Sequence, residues 1–511
     1  MGISAPLTVP CRPAMSSSSA TVARGANQLL CVLSCIAMEK HTLAPRDVEQ
    51  AAPSHPPVAA PTWAGRATTK RVAIAVLVAV FLHVGFFLRH PLSHLVQSPS
   101  CHRLLDQLTV EQRAQKILRE NPLIDGHNDL LISLRMRYKN LIYGHDFKEK
   151  FEHGGFPQHV DLPRLDQGMQ GGAFWSAFMP CPPGNGTDFS DEKYAPIVKM
   201  TLEALDTYNR LGLAYPKYFT LTPDSYAAEQ AFKAGRLISP VIIEGLHQIG
   251  NSISTLRLYH RLGVRYATLT WNCHNKYADA ALESDENFAA RIATPYWNGL
   301  SPAGRDLVLE MNRLGMLVDL AHVSTDTMRD VLIGNGTEEW KGSIAPPIFS
   351  HSSAYAICPH PRNVPDDILH LVKKRNSIVM VNFSPGFVSC KPGKTPSDLP
   401  EFDPENSTLD HVVKHIKHIG ELIGYDHVGL GTDYDGIEST PEGLEDVSKF
   451  PNLVAELLRQ GISEKDVGKI VGRNILRVWK EADEVAAKLQ QTATPLEDDI
   501  RSPWSSDKDE L

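Results

Sequence analysis

The chain has 511 residues, 42% of them hydrophobic and 22% charged, enough to bury a large core and to form one large domain or two to three ordinary ones. Its net charge of -8 is mild and spread along the sequence, without a basic stripe or a run of like charges. That excludes nucleic acid as the expected partner and points to small-molecule ligands.

Residues 1–71 are rich in Ser, Ala and Pro, as in "MSSSSA" and "APTWAG", and read as a disordered tail. Val72–Leu88, "VAIAVLVAVFLHVGFFL", is a 17-residue apolar run broken only by His83 and flanked by Lys70, Arg71 and Arg89. It predicts a single-pass membrane anchor at the short end of the roughly 17 to 25 residues that span a bilayer. Seven Lys/Arg against three acids precede it, which places the tail in the cytosol and everything after Leu88 on the lumenal side. A cleaved signal peptide is the competing reading, opposed by the long lead. A second apolar patch, Leu29–Met38, is too short to span.

Residues 89–114 read as a linker, 115–480 as the folded domain and 481–511 as a tail ending in "KDEL". That tetrapeptide is a receptor-read address in the endoplasmic reticulum lumen, so the expected location is a type II membrane protein of the endoplasmic reticulum or later secretory pathway. Asn185, Asn335 and Asn406 lie in sequons that fit the same compartment. Asn382 is also in a sequon, but inside a strand-like run where a glycan would not fit. The five cysteines beyond the anchor lack metal-type Cys-x-x-Cys spacing, and a lumenal setting allows them to pair with one left over.

From Gln115 onward, short β-branched or aromatic runs alternate with longer helical stretches. The strand candidates are "LIDGHND" (123–129), "GAFWSAFM" (172–179), "PVIIEG" (240–245), "YATLTW" (266–271), "GMLVDLAH" (315–322), "PIFSHS" (347–352), "SIVMVNFS" (377–384) and "VGLGTDYD" (428–435). "STLRLYHRLG" reads as a helix with Leu256, Leu258, Tyr259 and Leu262 apolar, and "SEKDVGKIVGRNILRVW" as one opened by a Ser463/Asp466 capping box. Eight strands alternating with helices predict an α/β fold, a (β/α)8 TIM-like barrel with its active site at the C-terminal strand ends.

Those ends are unusually polar. His127 and Asp129 close the first strand, Glu244 the third, His322 the fifth and His351 the sixth. Residues two apart on a strand share a face, so His127 and Asp129 can reach one metal. Alone, the pair also reads as a turn histidine beside a helix-capping Asp. Repeated around one rim, the groups read as a metal centre, and imidazole plus carboxylate without thiolate suits zinc or manganese. Asn128, between the first two, has no assigned role.

"IDGHNDL", "IIEGLHQIG", "LGVRYATLT", "LVDLAHVS", "FSHSSAYAICPHPRNVPDD", "GLGTDYDGIE" and "PEGLEDVSKFPNLVAELL" together resemble the membrane (renal-type) dipeptidases, dinuclear-zinc members of the amidohydrolase superfamily. The likeness runs in order from about Gln115 to Trp479. It implies two Zn2+ per chain, one on His127 and Asp129, the other on His322 and His351, with Glu244 bridging them and a shared hydroxide attacking L-dipeptides. It further implies that Asp433 holds the substrate amino group and moves the proton to the leaving nitrogen, and that Arg362 grips the terminal carboxylate. A turn cap for Asp433 and a surface ion pair for Arg362 are the plain readings of those residues without the resemblance. The resemblance also pairs Cys358 with Cys390 and Cys181 with Cys273, leaving Cys101 free or able to link a homodimer.

One position departs from the family pattern. Animal members have a histidine after "TLT" that helps stabilise the oxyanion, whereas "TLTWNCHNKYAD" puts Trp271 there, so that Asn272, His274 or zinc alone would serve. Another amidohydrolase acting on cyclic amides or β-lactams, and a catalytically weak binding relative, are the alternatives. Arg362 opposes a cyclic amide without a carboxylate, and the full presumed ligand set opposes the binding relative.

Overall fold

The computed structural model describes residues 108–497 apart from 184–185, 285–288 and 396. The expected tail, membrane anchor, most of the linker, Cys101, Asn185 and the KDEL terminus lie outside the described residues. No helix among those described is long and apolar enough to cross a membrane.

Each of the eight expected stretches supplies one strand: β1 Leu123–Asn128, β2 Gln170–Ser176, β3 Val241–Glu244, β4 Val264–Thr268, β5 Leu317–Asp319, β6 Ile348–Phe349, β7 Ile378–Val381 and β8 Val428–Leu430. All neighbours pair in parallel, and the sheet closes in the order β1-β8-β7-β6-β5-β4-β3-β2. Helices join the strands, so the fold is a (β/α)8 barrel. The strands are shorter than the apolar runs suggest, because their polar ends leave the ladder and enter the rim. β6 keeps only Ile348 and Phe349 of "PIFSHS".

Alternation along each strand divides the apolar residues between two cores. Ile124, Phe174, Ile242, Tyr266, Leu317, Ile348, Ile378 and Met380 fill the barrel interior. Val241 and Ile243, on either side of Ile242, belong instead to the larger layer between strands and helices. The last helix, Asn474–Leu489, closes the interior from the N-terminal end, with Trp479 5.3 Å from Phe174. Gly126 and Gly431 both abut the Ser350 carbonyl, where a Cβ would collide. Those small residues let β1, β8 and β6 converge beneath the rim.

The helix expected over Ser463–Trp479 is two. Ser463 caps Glu464–Gly468 by accepting from the Asp466 amide at 3.1 Å, but the Asp466 carboxylate takes the Ser463 hydroxyl rather than its amide, so only half of the capping box forms. A π-type turn at Lys469–Arg473 then breaks the run, because Gly472 leaves helical geometry where it passes against the Pro122 carbonyl. In the helix Ile253–Arg261, Leu256 and Tyr259 are buried, whereas Leu258 and the C-capping Leu262 face outward. The folded unit extends past its expected bounds, from Val110–Glu120 at one end to Leu489 at the other.

Candidate metal centre

The five strand-end residues meet at one rim of the barrel. His127, Asp129 and Glu244 bring ligand atoms within 4.8 Å of one another, and so do Glu244, His322 and His351. Glu244 therefore belongs to both groups: one oxygen is 3.6 Å from His127 Nε2, the other 2.9 Å from His322 Nε2 and 3.4 Å from His351 Nε2. All five are buried. Asp129 does occupy the N-cap position of the helix Leu130–Tyr138, but its side chain makes no cap bond and lies 3.1 Å from His127 Nε2. Asn128 takes over the cap, its Oδ1 accepting from the Leu130 amide at 3.0 Å, which frees the neighbouring carboxylate.

A second layer fixes the three imidazoles. His127 Nδ1 donates to the Tyr266 hydroxyl at 2.7 Å, which donates onward to the Gly126 carbonyl. His351 Nδ1 donates to the Ser350 hydroxyl at 2.8 Å, which donates to Asp319. His322 Nδ1 donates to Asn272 Oδ1 at 3.0 Å. Every Nε2 thus faces the cluster, the arrangement a metal-ligating histidine needs. Tyr266, Ser350 and two strand carboxylates were not singled out by the sequence. Asp125 accepts from the Thr432 amide and hydroxyl, tying β1 to β8, while Asp319 accepts from Thr268 and Ser350, tying β4 and β6 to β5. Their signal was an acidic residue inside an apolar strand, as in "LIDGH" and "LVDLAH".

Burial and charge set these groups for cation binding. Burial, then the Arg362 guanidinium, drives His322 down to about 3, and burial with His127 lowers His351 strongly, so both offer neutral lone pairs. Burial would lower His127 too, but Tyr266, Asp129 and Glu244 outweigh it and raise that group. Negative charge around this Nε2 draws a cation, proton or metal. Glu244, although buried, is held below the usual carboxylate range by His127 and by bonds with His322 and His351. Asp129 Oδ1 has no partner among the described residues. A buried carboxylate oxygen and converging imidazole nitrogens are the donors of a metal site, so the residues fit a divalent cation.

Asp433 and Arg362 stand beside the cluster. Asp433 brings a carboxylate oxygen within 4.8 Å of His127 and His351 ligand atoms, and burial, aided by Asp129 and Glu244, pushes it up to about 8. Its φ of 65° and that of His322, 66°, lie in the left-handed region, sparsely used by residues other than glycine and enriched at functional positions. Arg362 is 1% exposed, and none of its three guanidinium nitrogens has a partner among the described residues. Its guanidinium carbon sits 5.4 Å from the centre of the Phe387 ring. The Cys358–Cys390 disulfide ties the loop bearing Arg362 to the segment that follows Phe387.

The three candidates after "TLT" separate clearly. His274 is enclosed by Asp279, Glu283 and the Thr294 carbonyl, each about 3 Å from a ring nitrogen, and faces a loop rather than the cluster. Asn272 reaches the cluster through His322. Trp271 is half-buried, 6.2 Å from the His322 ring and 4.9 Å from that of Phe178. The Cys181–Cys273 disulfide joins these two loops. Of the sequons, Asn335 and Asn406 are exposed and Asn382 is buried.

A (β/α)8 barrel carrying imidazole and carboxylate donors at its C-terminal rim defines a metal-dependent enzyme class. The model of the membrane dipeptidase family, peptidase family M19, matches residues 111–493, and the chain belongs to that family. It is 44% identical over 396 residues to an uncharacterized dipeptidase of Schizosaccharomyces pombe, covering 77% of this chain and 88% of the relative. It is 41% identical over 410 residues to the dipeptidase tcpJ of Claviceps purpurea, covering 80% and 86%. Among solved structures it resembles dipeptidase AC, an M19 metallopeptidase, with 25% identity, a TM-score of 0.57 and coverage of 71% and 98%. The fold is also shared with the probable dipeptidase PvdM of Pseudomonas aeruginosa, at 21% identity, a TM-score of 0.61 and coverage of 74% and 99%. The chain is accordingly a metal-dependent dipeptidase.

Proposed function

We propose that this chain hydrolyses L-dipeptides with two zinc ions, one held by His127 and Asp129, the other by His322 and His351, with Glu244 shared between them. Two overlapping donor groups meeting at one carboxylate support that count. When bound, such a metal pair lowers the pKa of a shared water and polarises the scissile carbonyl. The protein's own groups do the rest. Arg362 receives the substrate's terminal carboxylate in a bidentate grip, and Asp433 binds the free amino group and delivers a proton to the departing nitrogen.

Arg362 carries this reading. A wholly buried guanidinium with no partner is costly unless an anion completes it, and a dipeptide brings a carboxylate at the right chemistry. A cyclic amide lacking that carboxylate would leave the cost unmet. The test compares an L-dipeptide with its C-terminal amide, its N-acetyl form and the corresponding tripeptide. Hydrolysis of the free-ended dipeptide alone supports the reading, and equal turnover of the amide overturns it.

The proposal includes placement. An anchor at 72–88 would hold the barrel on the lumenal side of the endoplasmic reticulum or a later compartment, with glycans on Asn185, Asn335 and Asn406 and a homodimer through Cys101. Two disulfides and two exposed sequons support an oxidising compartment.

A further inference from the structure

We infer that Trp271 and Phe178 form a fixed apolar subsite for the side chain of the dipeptide's carboxyl-terminal residue, selecting aromatic and branched aliphatic side chains there. The inference rests on the proposed reading of Asp433 and Arg362 as the groups that orient the substrate.

Position comes first. The donor array runs from Asp129 and His127, through Glu244, to His351 and His322. Asp433 stands beside the first end, within reach of His127 and His351 but not grouped with His322: a Cβ on Gly436 would strike both the Asp129 and Asp433 carboxylates. Trp271 belongs to the other end, its ring 6.2 Å from His322 and its backbone nitrogen against Gly245, directly after Glu244. The loop that carries Arg362 springs from the strand end at His351 and folds back on its own start, the Val364 amide donating to the Ser353 carbonyl at 2.8 Å. A dipeptide with its amino group at Asp433 and its carboxylate at Arg362 therefore lays its second residue along the His322 side.

Rigidity comes next. Trp271 leans on Phe178 at 4.9 Å, and the Cys181–Cys273 disulfide links the chain three residues after Phe178 to the chain two residues after Trp271. Both rings are half-buried rather than packed into either core. Two partly exposed aromatic rings held beside His322 offer apolar area and no charge, so they favour apolar side chains and disfavour carboxylates and ammonium groups. A histidine in place of Trp271 would offer hydrogen bonds instead, so the residue that departs from the pattern exchanges a polar contact for area.

The experiment uses the full chain supplied with zinc. It measures kcat/KM for Gly-Phe, Gly-Asp, Phe-Gly and Gly-Gly, and by calorimetry the Kd of the non-hydrolysable phosphinate analogues of Gly-Phe and Gly-Gly, in wild type, Trp271→Ala and Trp271→Phe. Burying one aromatic side chain gives Gly-Phe an advantage of about 30-fold over Gly-Gly in both kcat/KM and analogue affinity. Gly-Asp is expected to fall below Gly-Gly. In Trp271→Ala the Gly-Phe advantage collapses to about threefold while the Phe-Gly to Gly-Gly ratio holds, and Trp271→Phe restores part of it. A wild type indifferent to the second side chain, an unchanged ratio in Trp271→Ala, or a loss confined to Phe-Gly overturns the inference. Selective binding of the Gly-Phe analogue without turnover of any dipeptide would sink the dipeptidase reading and leave the subsite standing. Binding of neither analogue would sink both.

Discussion

His322 Nε2 lies 3.0 Å from His351 Nε2, and both nitrogens lie within 3.4 Å of the same Glu244 oxygen. Two neutral imidazoles present lone pairs to each other at that distance, an unfavourable contact unless a cation sits against both. The lowered affinity of both rings for protons leaves a metal as the natural cation. The relationship also explains why Glu244 is the pivot, since it supplies the negative charge that both nitrogens lack.

Asn272→Leu should selectively weaken the metal site proposed for His322 and His351. The amide oxygen at 3.0 Å holds the proton on His322 Nδ1 and keeps Nε2 pointed inward. Losing such a partner typically costs 10- to 100-fold in metal affinity. Competitive chelator titration should show one site weakened by about that factor and the other unchanged. Equal weakening of both sites would contradict the assignment.

Arg362→Met should separate stability from activity. Burial is the main force on this group, pulling it down to about 10, so an apolar side chain of similar length relieves an unpaired buried charge. The melting temperature should be no lower than wild type, while kcat/KM on a free-ended dipeptide falls at least about 100-fold through lost charged hydrogen bonds. A clear drop in melting temperature would mean that the guanidinium supports the fold.

Replacing Cys358 and Cys390 by alanine removes a link that closes 32 residues. The chain-entropy cost is about 3 to 4 kcal/mol of stability. Because that link also ties down the Arg362 loop, KM should rise more than kcat falls. Denaturant unfolding and steady-state kinetics on the same preparation check both parts.

Acid should destabilise the fold before it touches surface carboxylates. His415 Nδ1 accepts from the Ala354 amide and its Nε2 donates to the Val388 carbonyl, so the ring is satisfied only when neutral, and burial pushes it down to about 3. His159 is similarly held down to about 4 by burial and Arg164. Below the usual histidine pKa near 6.5 the unfolded chain takes up protons that these native rings refuse, so stability falls with falling pH. Each such histidine contributes a loss of about 1.4 kcal/mol per pH unit between about 6.5 and its folded value. Unfolding midpoints from pH 7 to 4.5 should decline, and His415→Gln should decline less steeply.

The parts of the centre that were readable in the sequence are those that break an apolar pattern at a strand end: His127, Glu244, His322 and His351. Asp125 and Asp319 break the same pattern two and three residues earlier, yet their partners are invisible locally. Asp125 bonds Thr432, 307 residues away, and Asp319 bonds Thr268 and Ser350 across neighbouring strands. Only barrel closure brings those pairs together. Asn128 has no role legible in the sequence, because that role is to cap a helix so that Asp129 need not. The break at Lys469–Arg473 was hidden for a similar reason, since Gly472 is required by its contact with Pro122 and not by the helix it interrupts.

The central claim is a pair of metals sharing Glu244, and metal content tests it most directly. The full chain and its Glu244→Gln variant are saturated with zinc, dialysed against a weak chelator and measured by elemental mass spectrometry. Two zinc ions per wild-type chain are expected, and in the variant the loss of both, because each donor group loses its shared carboxylate. One zinc or none in the wild type, or two retained by Glu244→Gln, would contradict it.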